Sequence, residues 1–199
     1  MKPIIFSTPM VKAILAGKKT MTRRPLKRQP EKSWGDVYQW HSKGVSICTG
    51  CDKLKDSLVD YAPYKPGDVL YGRETWAEVG WGSGHYIYRA DDLKKYKDDG
   101  KWRPSIHMPR EAARIFLKVP DVRAERLQDI TIADIFAEGI PNECGDCTLC
   151  GDEPWNADCT DYRLAFSKLW NGIYAKKPEY QWSKNPYVWV IAFERVEKP

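Results

Sequence analysis

The segment "NPYVWVIAFERV" (185–196) constrains the fold most. Its β-branched and aromatic residues follow one another without polar alternation, so both faces of the strand need cover. Such a strand lies at the centre of a sheet or lines a barrel. The other strand segments are weaker. "PGDVLYGRETW" (66–76) is a turn leading into a strand; alternation puts Leu70, Gly72, Glu74 and Trp76 on one face and Val69, Tyr71, Arg73 and Thr75 on the other. "HYIYRAD" (85–91) reads as a strand, and "ARIFLKVPDVRAERL" (113–127) gives one with Ile115, Leu117 and Val119 on a common face.

The helices are short. Thr8-Pro9 reads as a cap followed by proline at the first helical position, Met10, Val11, Ile14 and Leu15 make one stripe, and Gly17 fits the left-handed stop. "TIADIFAEGI" (131–140) is a helix capped by Thr131 and ended by Gly139, and "DYRLAFSKLWNGIY" (161–174) is amphipathic through Tyr162, Phe166, Leu169 and Ile173. Several strands with few short helices predict an α+β domain built on a small mixed β-barrel.

A chain of 199 residues suits a single domain. Two stretches, at about 27–62 and 141–160, read as insertions: polar, broken by Pro and Gly, without apolar periodicity. Residues 92–104 are polar and turn-like. A mean hydropathy of −0.60 and the lack of any apolar run near the roughly 20 residues of a bilayer span predict a protein with no membrane partner. The N-terminus has no secretory pattern, which points to the cytoplasm. The net charge of +5 permits a nucleic-acid partner, and an ordinary basic surface would give the same figure.

"GKKTMTRR" (17–24) packs four basic side chains and two hydroxyls where the first helix stops. It is either a solvated cluster or a site for something anionic. It also fits the pattern Gly-x-Lys-x-x-Thr-x-Arg through Gly17, Lys19, Thr22 and Arg24, and a "PGD…RET" segment follows (Pro66-Gly67-Asp68, Arg73-Glu74-Thr75). In this the chain resembles the ASCH domain, the activating-signal-cointegrator homology family. "IIFSTPMVKAIL", "WRPSIHMPR", "RLQDIT", "EGI" and "NPYVWVIAFE" look especially like the ASCH proteins of phages and prophages, so a phage-encoded chain would work in the cytoplasm of its bacterial host. The resemblance implies a PUA-like β-barrel and RNA or nucleotide binding. In the bacterial amidohydrolases of this family, which deacetylate cytidine acetylated on its exocyclic amine, the Lys and Thr of the first motif act with a Glu on a later strand. Carried over, these are Lys19, Thr22 and Glu74. This chain is longer than those enzymes and adds two cysteine-bearing insertions; other ASCH relatives are read as ribonucleases or as binding modules.

The residues support the same chemistry on their own terms. Amide hydrolysis needs a nucleophile or positioned water, a group to move protons and a stabiliser for the oxyanion. Thr22 suits the first role if a base is near, and Lys19 suits the second if burial or the cations Lys18, Arg23 and Arg24 lower its pKa. Glu74 on an apolar face would have a raised pKa fit for acid–base work. The competing reading leaves Lys19 and Arg24 solvated, Glu74 paired with Arg73 or Arg24, and Thr22 an ordinary strand residue.

The cysteines form a second constellation: Cys48-x-x-Cys51, and Cys144-x-x-Cys147-x-x-Cys150 with Cys159 nine residues on. Without a secretory signal, such knuckles read as metal ligands before disulfides. A structural zinc held by Cys48, Cys51 and two of Cys144, Cys147 and Cys150 is the simplest set; a local site from Cys144, Cys147, Cys150 and Cys159 is the alternative, and an iron–sulfur cluster uses the same ligands. Free reduced cysteines remain the plain reading.

"KWRPSIHMPR" (101–110) interleaves Trp102, Arg103, His107 and Arg110, a pattern that suits base stacking and phosphate contact. With Arg24 and Arg73 these are the candidate substrate-binding residues. Against this, Trp102 packs under its loop and His107 bonds the backbone. The C-terminal Trp182 and Trp189 read as core. Two function classes stand: a hydrolase acting on a modified cytidine-type nucleoside or base, and a non-catalytic module that holds RNA, DNA or a nucleotide.

Overall fold

The computed structural model describes residues 1–42, 44–80, 82–91, 101–140 and 160–199. The second inserted stretch and its four cysteines, and most of the 92–104 turn region, lie outside them. The fold is α+β and rich in sheet. β1 (Lys2–Ile5) runs parallel to β6 (Val69–Arg73), which pairs antiparallel with β9 (Phe116–Lys118), and β12 (Glu194–Val196) extends the far edge. A second sheet has β11 (Tyr187–Ala192) between β10 (Val122–Arg126) and β2 (Met21–Pro25), both antiparallel to it. Among the described residues the strands fall into separate sheets and close no barrel.

β11 meets its requirement for cover on both faces. Tyr187, Trp189 and Ile191 join the main core with Ile4, Leu70, Leu117 and Val122, while Val188 and Val190 pack on the other side with Leu127, Ile135, Phe166 and Trp170. α1 (Thr8–Leu15) buries Val11 and Ile14 in the main core. Its N-cap is Ser7 rather than Thr8, and Gly17 holds φ +71° at its end.

The 27–62 stretch is not a loop. It forms the antiparallel meander β3 (Glu31–Trp34), β4 (Val37–Ser42) and β5 (Val45–Gly50), followed by α2 (Cys51–Val59). Leu54 and Leu58, one helical turn apart, are fully buried and dock the helix on the main core beside Trp40. The pattern escapes a sequence reading because β3 is exposed throughout and supplies no alternation.

The 66–76 strand is also interrupted: β6 ends at Arg73 and β7 begins at Trp76 (Trp76–Glu78), paired with β8 (Tyr86–Tyr88). α3 (Ile132–Ala137) is capped as its sequence predicts, with Thr131 Oγ1 accepting from the Asp134 N–H at 3.1 Å. In α4 (Thr160–Ile173) the buried stripe is Tyr162, Phe166 and Trp170; Leu169 and Ile173 are 44% and 43% exposed, because Trp170 takes the inward position expected of Leu169. No described helix is long and apolar enough to cross a membrane.

Candidate active site and adjoining cleft

The turn after α1 delivers Lys19 to the end of α3. The Lys18 and Lys19 N–H groups both donate to the Ala13 carbonyl, at 2.9 and 3.1 Å, which folds the chain back over the helix terminus. Lys19 then forms an antiparallel bridge with Glu138, and the Thr20 N–H donates to the Ala137 carbonyl. This close approach requires glycine at 139: φ is +89°, and a Cβ there would sit 3.0 Å from the Cβ atoms of both Ala13 and Lys19.

The outcome is a buried amine–carboxylate pair. Lys19 Nζ donates to Glu138 Oε2 at 2.6 Å and to the Glu138 carbonyl at 2.8 Å. The two side chains are 1% and 6% exposed. Burial lowers the Lys19 pKa, against the pull of Glu138, and the nearby Arg24 and Arg23 push it the same way as burial. The sequence leaves Lys19 either solvated or lowered by burial and its cations; the structure buries it, and its partner carboxylate is Glu138, a residue outside both sequence motifs. The signal was present in "AEGI": an acidic residue followed at once by the glycine that stops the helix stands where a backbone bridge is possible.

Glu138 is also tied to β2. Arg23 donates to Glu138 Oε1 at 3.3 Å, to Glu125 Oε1 at 2.6 Å and to Asp134 Oδ2 at 2.8 Å, and Arg123 closes the network onto Glu125 and Asp134. Burial alone would raise Asp134, but Arg23 and Arg123 outweigh it and hold its carboxyl below the ordinary range.

Thr22, 1% exposed and paired with Ile191, lines a small cavity with Glu138, Arg23, Arg24 and the aromatic rings Phe166, Trp170 and Tyr174 of α4 and the turn after it. Its volume of about 20 Å³ is room for about one water. Thr22 and Glu138 thus line one small space, and the Lys19 amine is bonded to the Glu138 carboxylate.

Arg24 joins this cavity to a larger cleft of about 620 Å³ between β1, β2, β4 and the Tyr61–Tyr64 turn. Its guanidinium lies over the Phe6 ring at 5.7 Å, donates to the Ile5 carbonyl and bonds the Tyr174 hydroxyl. Arg73 lines the same cleft.

Glu74 sits apart from the lysine. It is 1% exposed and receives a two-pronged contact from Arg114, with Nε to Oε1 at 2.8 Å and Nη2 to Oε2 at 3.0 Å. Arg114 also binds both oxygens of Asp91 and lies 3.9 Å from the Tyr88 ring centre. Burial raises the Glu74 pKa and Arg114 works against it. The expected raised pKa is there, but its partner is Arg114, neither Arg73 nor Arg24, and Glu74 is not among the residues lining the cavity or the cleft.

Of the 101–110 segment, Arg103 bridges Trp76 through its backbone and lies 5.1 Å from the Trp76 ring centre. His107 is exposed on a 3₁₀ turn, with its N–H on the Pro104 carbonyl; Arg110 is exposed and Trp102 half-buried. None of the four lines the Arg24 cleft. Arg73 touches this segment by donating to the Ile106 carbonyl at 3.2 Å.

Cys48 is exposed on β5 opposite Gln39, and Cys51 opens α2. Cys144, Cys147, Cys150 and Cys159 lie outside the described residues. Among the described residues no group of three or more His, Cys, Asp or Glu side chains is arranged to hold a metal. Comparison with protein-family models, with curated proteins and with solved structures finds no match to this chain.

Proposed function

We propose that the chain is an ASCH-type hydrolase with a PUA-like fold that removes the acyl group from the exocyclic amine of a modified cytidine-type nucleoside or base, using Lys19, Thr22 and Glu138. The observation that carries this reading is the buried Lys19–Glu138 pair at 2.6 Å, with Glu138 and Thr22 lining one cavity of water size. Arginine cannot give up its proton in a protein, whereas a desolvated lysine does so readily. That favours Glu138, which has an amine as well as the Arg23 guanidinium for a partner, over Glu74, held by the Arg114 guanidinium, as the carboxylate of the reaction.

In the proposed reaction neutral Lys19 takes the proton of Thr22 or of a water held beside it. The freed oxygen attacks the acyl carbon, and the carbonyl electrons move to an oxyanion facing Arg24. Collapse breaks the C–N bond, and the proton passes through Lys19 and Glu138 to the leaving amine. Water supplies the hydroxyl of the carboxylic acid product, directly or by hydrolysis of an acyl-Thr22 ester.

The test is incubation with acylated cytidines, products being resolved by mass spectrometry. Lys19→Ala and Thr22→Ala should each lower turnover by about 10²–10⁴. The kcat/KM of the parent should rise with pH as Lys19 loses its proton below the ordinary lysine value of 10.5. Absence of turnover in the parent on every substrate sinks the reading. It would leave the second one, a non-catalytic RNA- or DNA-binding module or an ASCH-type ribonuclease, which the basic cleft beside Arg24 favours.

The cysteine spacing supports a structural zinc as part of the same proposal. Four thiolates around one ion would clip the inserted segments together and contribute to folding. Elemental analysis should return about one zinc per chain and chelation should lower the Tm; metal-free protein of full stability, or iron–sulfur absorbance, overturns it.

A further inference from the structure

The 620 Å³ cleft has the size of a small-molecule site, and it is unusual in its charge. Arg24, Lys27, Arg28 and Arg73 all line it, and no carboxylate does so among the described residues. By contrast, the buried Arg23 meets three carboxylates, and the half-buried Arg114 and Arg123 each meet two or more. None of the four cleft cations has a carboxylate partner among the described residues. Arg73 goes further, for its Nε–H is buried and has no acceptor among the described residues, while its two terminal nitrogens make contacts of 3.2 and 3.3 Å. A buried guanidinium donor without an acceptor is costly, and an anion that arrives with a ligand would relieve it.

The remaining wall is aromatic. Tyr61, 44% exposed, packs on the buried Trp40 with ring centres 5.6 Å apart, and Tyr64 stands beside them. These rings come from the meander and from the turn after α2. Trp40 is fixed by donating from Nε1 to the Arg28 carbonyl at 2.8 Å, which ties the aromatic wall to the basic rim. Cations on one side and an exposed ring on the other suit a phosphate joined to a base. Arg24 lines both this cleft and the Thr22 cavity, which places the cleft next to the proposed reacting groups.

We infer that the cleft is a nucleotide subsite: the substrate carries a phosphate, held by Arg24 and Arg73 with Lys27 and Arg28 at the rim, and lays a base against Tyr61. This rests on the hydrolase reading for what happens next, but the binding claim stands apart from turnover. The phosphate has two sources, a free mononucleotide or a link in a single strand.

Isothermal titration calorimetry at low salt separates the cases. The four ribonucleosides, their 5′-monophosphates and a six-residue single-stranded RNA are titrated into the full chain and into Arg28→Gln and Arg73→Gln. Monophosphates should bind about tenfold tighter than nucleosides, because charge-assisted hydrogen bonds are the stronger class. Both variants should shrink that ratio about threefold or more. A hexamer that binds tighter still, with log K falling against log salt by about 0.7 per phosphate held, identifies a strand as the source; a hexamer no tighter than a monophosphate identifies the free nucleotide. Equal affinity for nucleosides and monophosphates, or a preference that survives in both variants, overturns the proposal. Deacylation of a nucleoside with no phosphate preference would remove the subsite and keep the hydrolase, and phosphate preference without deacylation would do the reverse.

Discussion

Two buried glutamates, Glu74 and Glu138, look alike by exposure and differ in what they touch. Glu74 is held through both oxygens by Arg114, whose remaining donors go to Asp91. Glu138 divides its oxygens between Lys19 and Arg23 and faces a cavity. The first arrangement fixes a loop: it anchors the break between β6 and β7 to the segment before β9. The second brings together a lysine whose pKa burial lowers, a carboxylate and, beside that carboxylate, room for about one water. Burial of an acid is therefore a poor guide to function until its partner is known. Glu74 has Arg114 for its partner, whereas Glu138 has an amine as well as a guanidinium.

The sharpest way to break this comparison is to neutralise each acid in turn. Glu138→Gln should lower deacylation by about 10²–10⁴, while Glu74→Gln should leave kcat within a few-fold of the parent. The opposite pattern, measured on the same acylated cytidine, would return the chemistry to Glu74. Stability should divide the other way. Glu74→Ala strands Arg114 on Asp91 alone and should cost about 1–3 kcal/mol in urea denaturation; a loss near zero would mean that the pair fastens nothing.

The smallest effect is a difference in pH dependence between Glu74 and Asp134, which belongs to the Glu138 network. Glu74 has a folded pKa above its ordinary 4.5, so its contribution to stability is present below that value and is lost as pH rises through the raised one. Asp134 has a folded pKa below its ordinary 3.8, so its contribution is present above that value and is lost as pH falls through the depressed one. Urea midpoints measured between about pH 2 and 6 should therefore show Glu74→Gln gaining on the parent as pH rises, and Asp134→Asn gaining on it as pH falls. Parallel curves would show that the two acids do not differ in this way.

The central strand, the Thr131 cap and the Gly139 stop are legible in the sequence, because each rests on local pattern; the burial of Lys19 and Thr22 is not, since the short motif that holds them leaves solvated and buried readings open. Glu138 is not, since its role depends on a contact with a residue near the other end of the chain. The 66–76 alternation fails because the strand breaks at Glu74: Tyr71 and Trp76, expected on opposite faces, pack in one cluster and Leu70 in another, and alternation says nothing of which cation meets Glu74; Arg114 comes from a different segment. The meander of 31–50 was hidden for another reason. Its outer strand buries nothing, and α2 docks through only two fully buried leucines, so neither leaves a periodic signal long enough to read.

Lys19 and Glu138 are 119 positions apart, and the bridge that joins them is also the seam between α1 and α3. Closing so long a loop is an entropic expense met only when much of the main core is already in place. A nascent chain shorter than 138 residues has the lysine and the threonine but no carboxylate to set beside them. The contact therefore forms only after two thirds of the chain has been made, and it reports whether the segment after α1 and the end of α3 have met.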